Sequence, residues 1–260
     1  MNTYEQIFSI RYSELNRHGL LKDEAFFDIF QEVASRHAEK LGCGFGTMGS
    51  MTWFLSKMRI QVLRTPAKGD LTVKTWPSGF SGLYAIRQAL FYDALGEIAH
   101  VTSYWLLINL NTLRPQRLPG SLPCSIPENP ELPRYFDLSI VPRIPRTLDL
   151  SGHPRIEVKN PLESKVAEHE IDVNQHLNNA RYCSRISDWL AQVTGRTPSI
   201  VDITAVFQHE TQVNTLLTTK GTIDDQGNFQ AAITSEKDDY SELVHFTAVG
   251  RIAMGGNENG

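Results

Sequence analysis

The sequence predicts an α+β protein made of two tandem units, each a central helix packed against an antiparallel sheet. Three observations carry this. A segment with helical apolar spacing is followed by four strand-like runs, and that order occurs twice in the 260 residues. The runs are joined by turns too short for parallel crossovers, so neighbouring strands must be antiparallel. Between the two sets lies a stretch, Pro115 to Pro161, holding ten of the thirteen prolines. Proline lacks a backbone donor and fixes φ, so this stretch reads as an extended connector.

The first unit, residues 1–112, opens on "EQIFSIRYSEL", which alternates like a strand. The segment "DEAFFDIFQEVASRHAEKLG" then places Phe26, Ile29, Phe30, Val33, His37 and Leu41 at helical spacing, with Asp23 as N-cap and Gly42 as the stop. Strand-like runs follow at Trp53–Leu63, Leu71–Trp76, Tyr84–Phe91 and Ile98–Leu110, with turn signals in "PAKGD", "PSGFSG" and "DALGE". Residues 113–161 form the proline-rich linker, and the second unit spans 162–260. It repeats the order: "ESKVAEHEID" as a strand, then "NARYCSRISDWLAQVTG" with Ala180, Ile186, Leu190 and Val193 on one face and Gly195 at its end. Its four strand-like runs are Val201–His209, Val213–Ile223, Phe229–Ser235 and Leu243–Ile252.

The composition is that of an ordinary globular protein, with 41% hydrophobic and 21% charged residues. A net charge of -4 and a pI near 6.1 give no support to a bulk electrostatic nucleic-acid binder and leave room for a local basic patch facing an acidic partner. Cys43, Cys124 and Cys183 are scattered and lack any C-x-x-C spacing, which predicts three free thiols in a reducing compartment and no zinc site. The N-terminus has neither the basic region nor the apolar run of a signal peptide, and no segment approaches the roughly 18 apolar residues of a spanning helix. A cytoplasmic location is expected.

In "EIDVNQHLNNARY", Asp172, Asn174 and His176 fall on every second position just before Asn178 and the helix. On an extended segment these three project to one face, bringing an acid, an amide and an imidazole together. Taken singly, Asp172, Asn174 and Asn178 read as cap and turn formers. Taken as a set, in phase with Glu210 on the following run, they read as a site. The rhythm also occurs in the first unit, where Glu14, Asn16 and His18 of "ELNRHG" lie opposite Asp172, Asn174 and His176. An internal duplication is the simplest account. Opposite Glu210 stand Thr65 and Pro66, so no carboxylate faces the first unit's histidine, and the chemistry is expected in the second unit.

Two such units in one chain look like the double hot-dog arrangement. The pair "DVNQHLNNARY" and "VFQHETQ" resembles the acyl-acyl carrier protein thioesterases of plants and bacteria. In that family a D-x-N-x-H-x-N-N segment precedes the C-terminal helix and an acidic residue sits on the next strand. Plant members read R-E-C at the downstream site, where this chain has His209, Glu210 and Thr211. A cysteine nucleophile is therefore excluded there, and the retained acid points to attack by an activated water. The resemblance implies a thioester hydrolase of fatty acid biosynthesis that releases free fatty acid, with the acyl carrier protein as partner and neither metal nor cofactor. It also implies that the first unit holds the acyl chain. Phe26, Phe30, Trp53 and Met58, with Phe27 and Phe54, are candidate lining residues, although an aromatic stripe on a central helix also reads as plain core.

Thioester hydrolysis needs an activated nucleophile and a stabilised oxyanion, and little help for a thiolate that departs easily. Glu210 is assigned as general base on water, with His176 orienting the water or shuttling its proton. Asn174 holds the water or the thioester carbonyl, and Asp172 fixes the imidazole or the amide by hydrogen bonding. The sequence leaves open which of the two carboxylates is the base. The helix starting near Asn178 offers backbone donors and a positive dipole end as an oxyanion site. An acidic carrier protein calls for a basic patch; Arg134, Arg143, Arg146, Arg155, Arg181 and Arg185 are the candidates. Two further readings are an acyl-CoA thioesterase and a non-hydrolytic acyl-binding or dehydratase-like hot-dog protein. The duplication supplies internally the pairing that single hot-dogs obtain by dimerising, which is compatible with a monomer or a homodimer.

Overall fold

The computed structural model describes residues 2–141, 156–157 and 161–253, in two units, Met1–Val141 and Pro142–Gly260. The first unit runs β1 (Tyr4–Ser9), a 3-10 turn (Tyr12–Glu14), α1 (Asp23–Lys40), β2 (Met51–Val62), β3 (Asp70–Ser81), β4 (Tyr84–Asp93), β5 (Gly96–Asn109) and β6 (Arg114–Pro115). Within it the strands pair antiparallel in the order β1, β3, β4, β5, β2, and β6 adds to β5.

α1 buries Phe26, Phe27, Ile29, Phe30, Val33 and His37, the stripe that the helical spacing requires. Asp23 is its first residue rather than its cap; Lys22 occupies the cap position without a side-chain capping bond, and Asp23 and Glu24 instead place negative charge in the first turn. Gly42, at φ 73, ends the helix as expected. The expected turn in "PSGFSG" is part of β3. An irregularity between Pro77 and Phe80 absorbs the extra residues, and the reversal comes at Gly82, where φ is 60.

The proline-rich segment up to Val141 belongs to the first unit. Three of its backbone donors are met by side chains of the sheet: Tyr135 N to Gln88 Oε1 (3.2 Å), Phe136 N to Thr102 Oγ1 (3.1 Å) and Leu138 N to Tyr104 OH (3.2 Å). The Tyr135 ring stacks on His100 at 4.1 Å. Cys43 and Cys124 form a disulfide across a separation of 81 residues, with Cα atoms 5.9 Å apart. The expectation of three free thiols is thus corrected: local spacing carries no information on a pairing made by the folded chain. Cys183 is a buried thiol.

The second unit runs β7 (Ile156–Glu157), β8 (Leu162–Lys165), a 3-10 turn (Glu168–Glu170), α2 (Asn179–Thr194), β9 (Ile200–Phe207), β10 (Leu216–Ile223), β11 (Asn228–Glu236) and β12 (Glu242–Ile252). Its antiparallel order is β9, β12, β11, β10, with β7 and β8 both pairing β10. α2 buries Ala180, Tyr182, Ile186, Trp189 and Leu190 against this sheet and ends at Gly195 in the left-handed region, φ 68. Trp189 lies so close to the strand that a Cβ at Gly221 would come within 2.8 Å of its ring, so only glycine fits there. The Tyr182, Phe207 and Phe246 rings meet at 5.1 to 6.0 Å between centroids, forming the core beneath the α2 N-terminus.

Candidate active site

The segment carrying Asp172, Asn174 and His176 is a tight reversal and not an extended strand. Ile171 and Leu177 form an isolated bridge. Between them Asp172 N donates to His176 O (2.9 Å), Gln175 N donates to Asp172 O (3.0 Å), and Gln175 sits at φ 66. Alternating polar residues imitate strand spacing, but here they serve a turn. Asp172 Oδ1 accepts the Asn174 backbone N–H at 2.8 Å, and its Oδ2 lies 3.5 Å from Asn174 Nδ2. Asp172 therefore orients Asn174 and not the imidazole, a choice the sequence left open.

His176 and Glu210 come together across this turn, with Nε2 and Oε2 2.9 Å apart. The His176 side chain is 29% exposed and that of Glu210 58%, so the pair sits at the surface, open to solvent. Glu210 is not on a strand. β9 ends at Phe207, and residues 208–215 run irregularly before β10. Thr211 O accepts the Leu177 N–H at 2.8 Å, tying this irregular stretch to the turn bearing His176.

A second pair supports the turn from below. Arg185 donates from Nη1 and Nη2 to the two Glu170 oxygens, both at 2.9 Å, and from Nε to Ser164 Oγ at 3.0 Å. Burial would raise the Glu170 carboxyl, but the hydrogen bonds from Arg185 and from Ala167 N–H hold it below the usual carboxylate range. Glu170 O accepts Asn178 N (2.9 Å), so this ion pair anchors both ends of the turn's frame. Arg185, a candidate for the docking surface by its helical spacing, is instead 5% exposed and committed to Glu170, which leaves it no part in such a surface. Arg134 is exposed and Arg181 is half-buried, while Arg143, Arg146 and Arg155 lie outside the described residues.

Asn178 is the N-cap of α2: its Oδ1 accepts Ala180 N at 2.8 Å and its carbonyl accepts Arg181 N at 2.9 Å. Its acceptor oxygen is thereby taken up by the helix. In the first unit, Phe26, Phe30 and Met58 are at most 2% exposed within the core, and Trp53 is half-buried with its indole N–H donated to Cys43 O at 3.0 Å. His169 and His209 are exposed, and His209 Nδ1 donates to Val244 O at 2.8 Å.

The duplication is present, in a register two residues away from the one read by residue type. Leu15 bridges Leu21 as Ile171 bridges Leu177. Lys22 N donates to Glu14 O as Asn178 N donates to Glu170 O, and Leu21 N donates to Pro66 O as Leu177 N donates to Thr211 O. Asn16 Oδ1 accepts His18 N at 2.9 Å as Asp172 Oδ1 accepts Asn174 N. Asn16 thus matches Asp172, His18 matches Asn174, and Leu20 stands where His176 does. The match of "N-x-H" to "N-x-H" is replaced by a match of backbone frames. Thr65 remains the counterpart of Glu210, since Pro66 and Thr211 play the same part.

Tyr182, Ser235 and His245 add a chain of polar groups that no motif in the sequence marks. Tyr182 OH and Thr211 Oγ1 are 2.7 Å apart, Thr211 Oγ1 lies 2.8 Å from His245 Nδ1, and His245 Nε2 lies 2.7 Å from Ser235 Oγ. Nothing in the local sequence signals this chain, because its bonds span 29, 34 and 10 residues. Among the described residues no group of His, Cys, Asp and Glu is arranged to hold a metal ion, and no helix is long and apolar enough to cross a membrane.

Two family models match the chain: the acyl-ACP thioesterase N-terminal domain over residues 1–123 and the acyl-ACP thioesterase C-terminal domain over residues 154–247. A chloroplastic acyl-acyl-carrier-protein hydrolase of Cuphea viscosissima is 27% identical over 98% of this chain and 62% of its own length. An oleoyl-acyl carrier protein thioesterase of Arabidopsis thaliana is 26% identical over 98% of this chain and 74% of its own. The chain thus spans less than two thirds of the first of these relatives. An acyl-ACP thioesterase from Bacteroides thetaiotaomicron superposes with a TM-score of 0.74 at 21% identity, covering 97% of this chain and 98% of that one. A 12:0-ACP thioesterase from Umbellularia californica does so with 0.71 at 18%, covering 97% and 98%. At these identities the likeness concerns the fold, which is the double hot-dog.

Proposed function

Because this chain belongs to the acyl-ACP thioesterase family, we propose that it hydrolyses the thioester of fatty acyl-acyl carrier protein to free fatty acid and carrier protein. The observation that carries the mechanism is the contact of His176 Nε2 with Glu210 Oε2 at 2.9 Å. Glu210 takes a proton from water as the water oxygen attacks the thioester carbonyl carbon. His176 holds the carboxylate in place and passes the proton on. The tetrahedral oxyanion then collapses, the C–S bond breaks, and the thiolate of the carrier's prosthetic arm leaves and takes up that proton. Asn174, oriented by Asp172, lends its amide to the oxyanion or the water. Asp172 is a positioning group in this scheme, and Glu210 is the base.

The first unit, with Phe26, Phe30, Trp53 and Met58, is assigned to the acyl chain, and the support is its apolar helix face. Arg134 and Arg181 remain candidates for contact with the acidic carrier. A cytoplasmic location belongs to the same proposal and is checked by fractionation.

The test is release of thiol from acyl carrier protein and CoA thioesters of graded chain length. Glu210→Ala and His176→Ala are expected to lower kcat by about 100-fold or more. Turnover unchanged in both variants sinks the mechanism, and hydrolysis of CoA thioesters alone sinks the substrate assignment.

A further inference from the structure

We propose that Thr211 and His245 are positioning residues that hold the Glu210 carboxylate against His176. The proposal rests on the reading of Glu210 and His176 as the reacting pair.

Thr211 joins the two halves of the site. Its carbonyl accepts Leu177 N at 2.8 Å, one residue beyond His176, and its backbone continues directly into Glu210. Its hydroxyl lies 2.7 Å from Tyr182 OH on α2 and 2.8 Å from His245 Nδ1 on β12. The Thr–His contact has the distance of an activated nucleophile and its base. Thr211 is only 1% exposed, however, and Tyr182 and His245 are 2% and 4% exposed, so no acyl group reaches the hydroxyl.

The proton positions follow from the partners. His245 Nδ1 also faces Glu210 O at 3.2 Å and His209 O at 3.3 Å. Carbonyl oxygens only accept, so Nδ1 carries the hydrogen, and Nε2 accepts from Ser235 Oγ at 2.7 Å. Burial lowers the His245 pKa, opposed by these carbonyls, and keeps the ring neutral. Burial likewise pushes Tyr182 up to about 12, so the phenol keeps its proton as a hydrogen-bond partner. One imidazole N–H thus gathers the carbonyls of residues 209 and 210 and the hydroxyl of 211. The irregular stretch after β9 has no ladder of its own at this point, and a displacement of about 1 Å at a reacting group costs on the order of 100-fold in rate.

The donor position decides the test. The amide nitrogen of His245→Asn replaces Nδ1–H, whereas that of His245→Gln falls on the Ser235 side. Thr211→Ser keeps the hydroxyl, and Thr211→Val removes it at constant shape. With acyl carrier protein thioesters, Thr211→Val and His245→Gln are expected to lose about 10- to 100-fold in kcat with KM within about 2-fold. Thr211→Ser and His245→Asn should stay within about 3-fold of the parent. Parent-like kcat in Thr211→Val, or equal loss in both members of each pair, overturns the proposal. If one of the weakened variants does not fold, the other pair decides alone. Glu210→Gln is measured alongside: if it is fully active, the reacting pair itself is misassigned, whereas an inactive Glu210→Gln beside an unaffected Thr211→Val refutes only the positioning role.

Discussion

His37 makes the stability of the first unit depend on pH with a predictable sign and size. It is 2% exposed on α1, and its Nδ1 lies 3.0 Å from Arg87 Nη1. A guanidinium only donates, so Nδ1 accepts and the ring proton sits on Nε2. Protonating Nδ1 would break that bond and set two cations side by side in a buried place. Burial, then Arg87 and Lys40, accordingly lower the His37 pKa from 6.5 to about 4. The unfolded chain therefore binds a proton that the folded chain refuses. The contribution is fully present above about pH 6.5 and is lost as pH falls toward 4, by roughly 1.4 kcal/mol per pH unit. Between about pH 7.5 and about pH 4.5 the loss amounts to about 2.5 kcal/mol from this one residue. His37→Asn keeps an acceptor for Arg87 without the titration. Urea unfolding of both proteins at the two pH values should show the parent losing about 2.5 kcal/mol more than the variant. A difference below about 0.5 kcal/mol refutes the assignment of a neutral, donor-facing imidazole.

Breaking the Arg185–Glu170 pair by Arg185→Met leaves a buried carboxylate and should cost about 3–5 kcal/mol in urea unfolding at neutral pH. Because the Glu170 pKa is depressed, the stability it supplies is present above its ordinary value of 4.5 and declines as pH falls below it, so the gap between parent and variant should narrow in acid. Asn178→Ala removes the α2 cap bond to Ala180 and should cost about 1 kcal/mol in thermal or urea unfolding, with Asn178→Ser recovering most of it.

The helices and most strands were legible because their determinants are local. Phe26, Ile29, Phe30 and Val33 define the buried face of α1, and Gly42 and Gly195 mark ends that require positive φ. Of the candidate site, the pairing of His176 with Glu210 was legible in the sequence, and the local geometry was not. His176 and Glu210 do meet, but the segment before α2 was read as extended because Asp172, Asn174 and His176 alternate. The deciding facts, Gln175 at φ 66 and the Asp172 side chain folded back on Asn174 N, concern conformation that no apolar pattern encodes. Residue identity aligns the repeat two residues away from the register that the hydrogen-bond frames fix. Arg185 looked like a surface cation because Glu170 lies 15 positions away, off its own helix. The Thr211–His245 contact and the Cys43–Cys124 disulfide join residues 34 and 81 positions apart, where single-sequence reasoning has no purchase.

The reversal that precedes each helix separates foundation from tenant. Backbone bonds and one Asn or Asp side chain hold it in both halves of the chain, and none of these passes through the imidazole of His176 or the side chain of Leu20. The position occupied by leucine in one copy and histidine in the other is therefore a vacancy that the architecture tolerates being filled in different ways. A side chain at this position can therefore be exchanged without disturbing the hydrogen bonds that hold the turn, so the proposed chemistry at His176 places no demand on the turn that carries it.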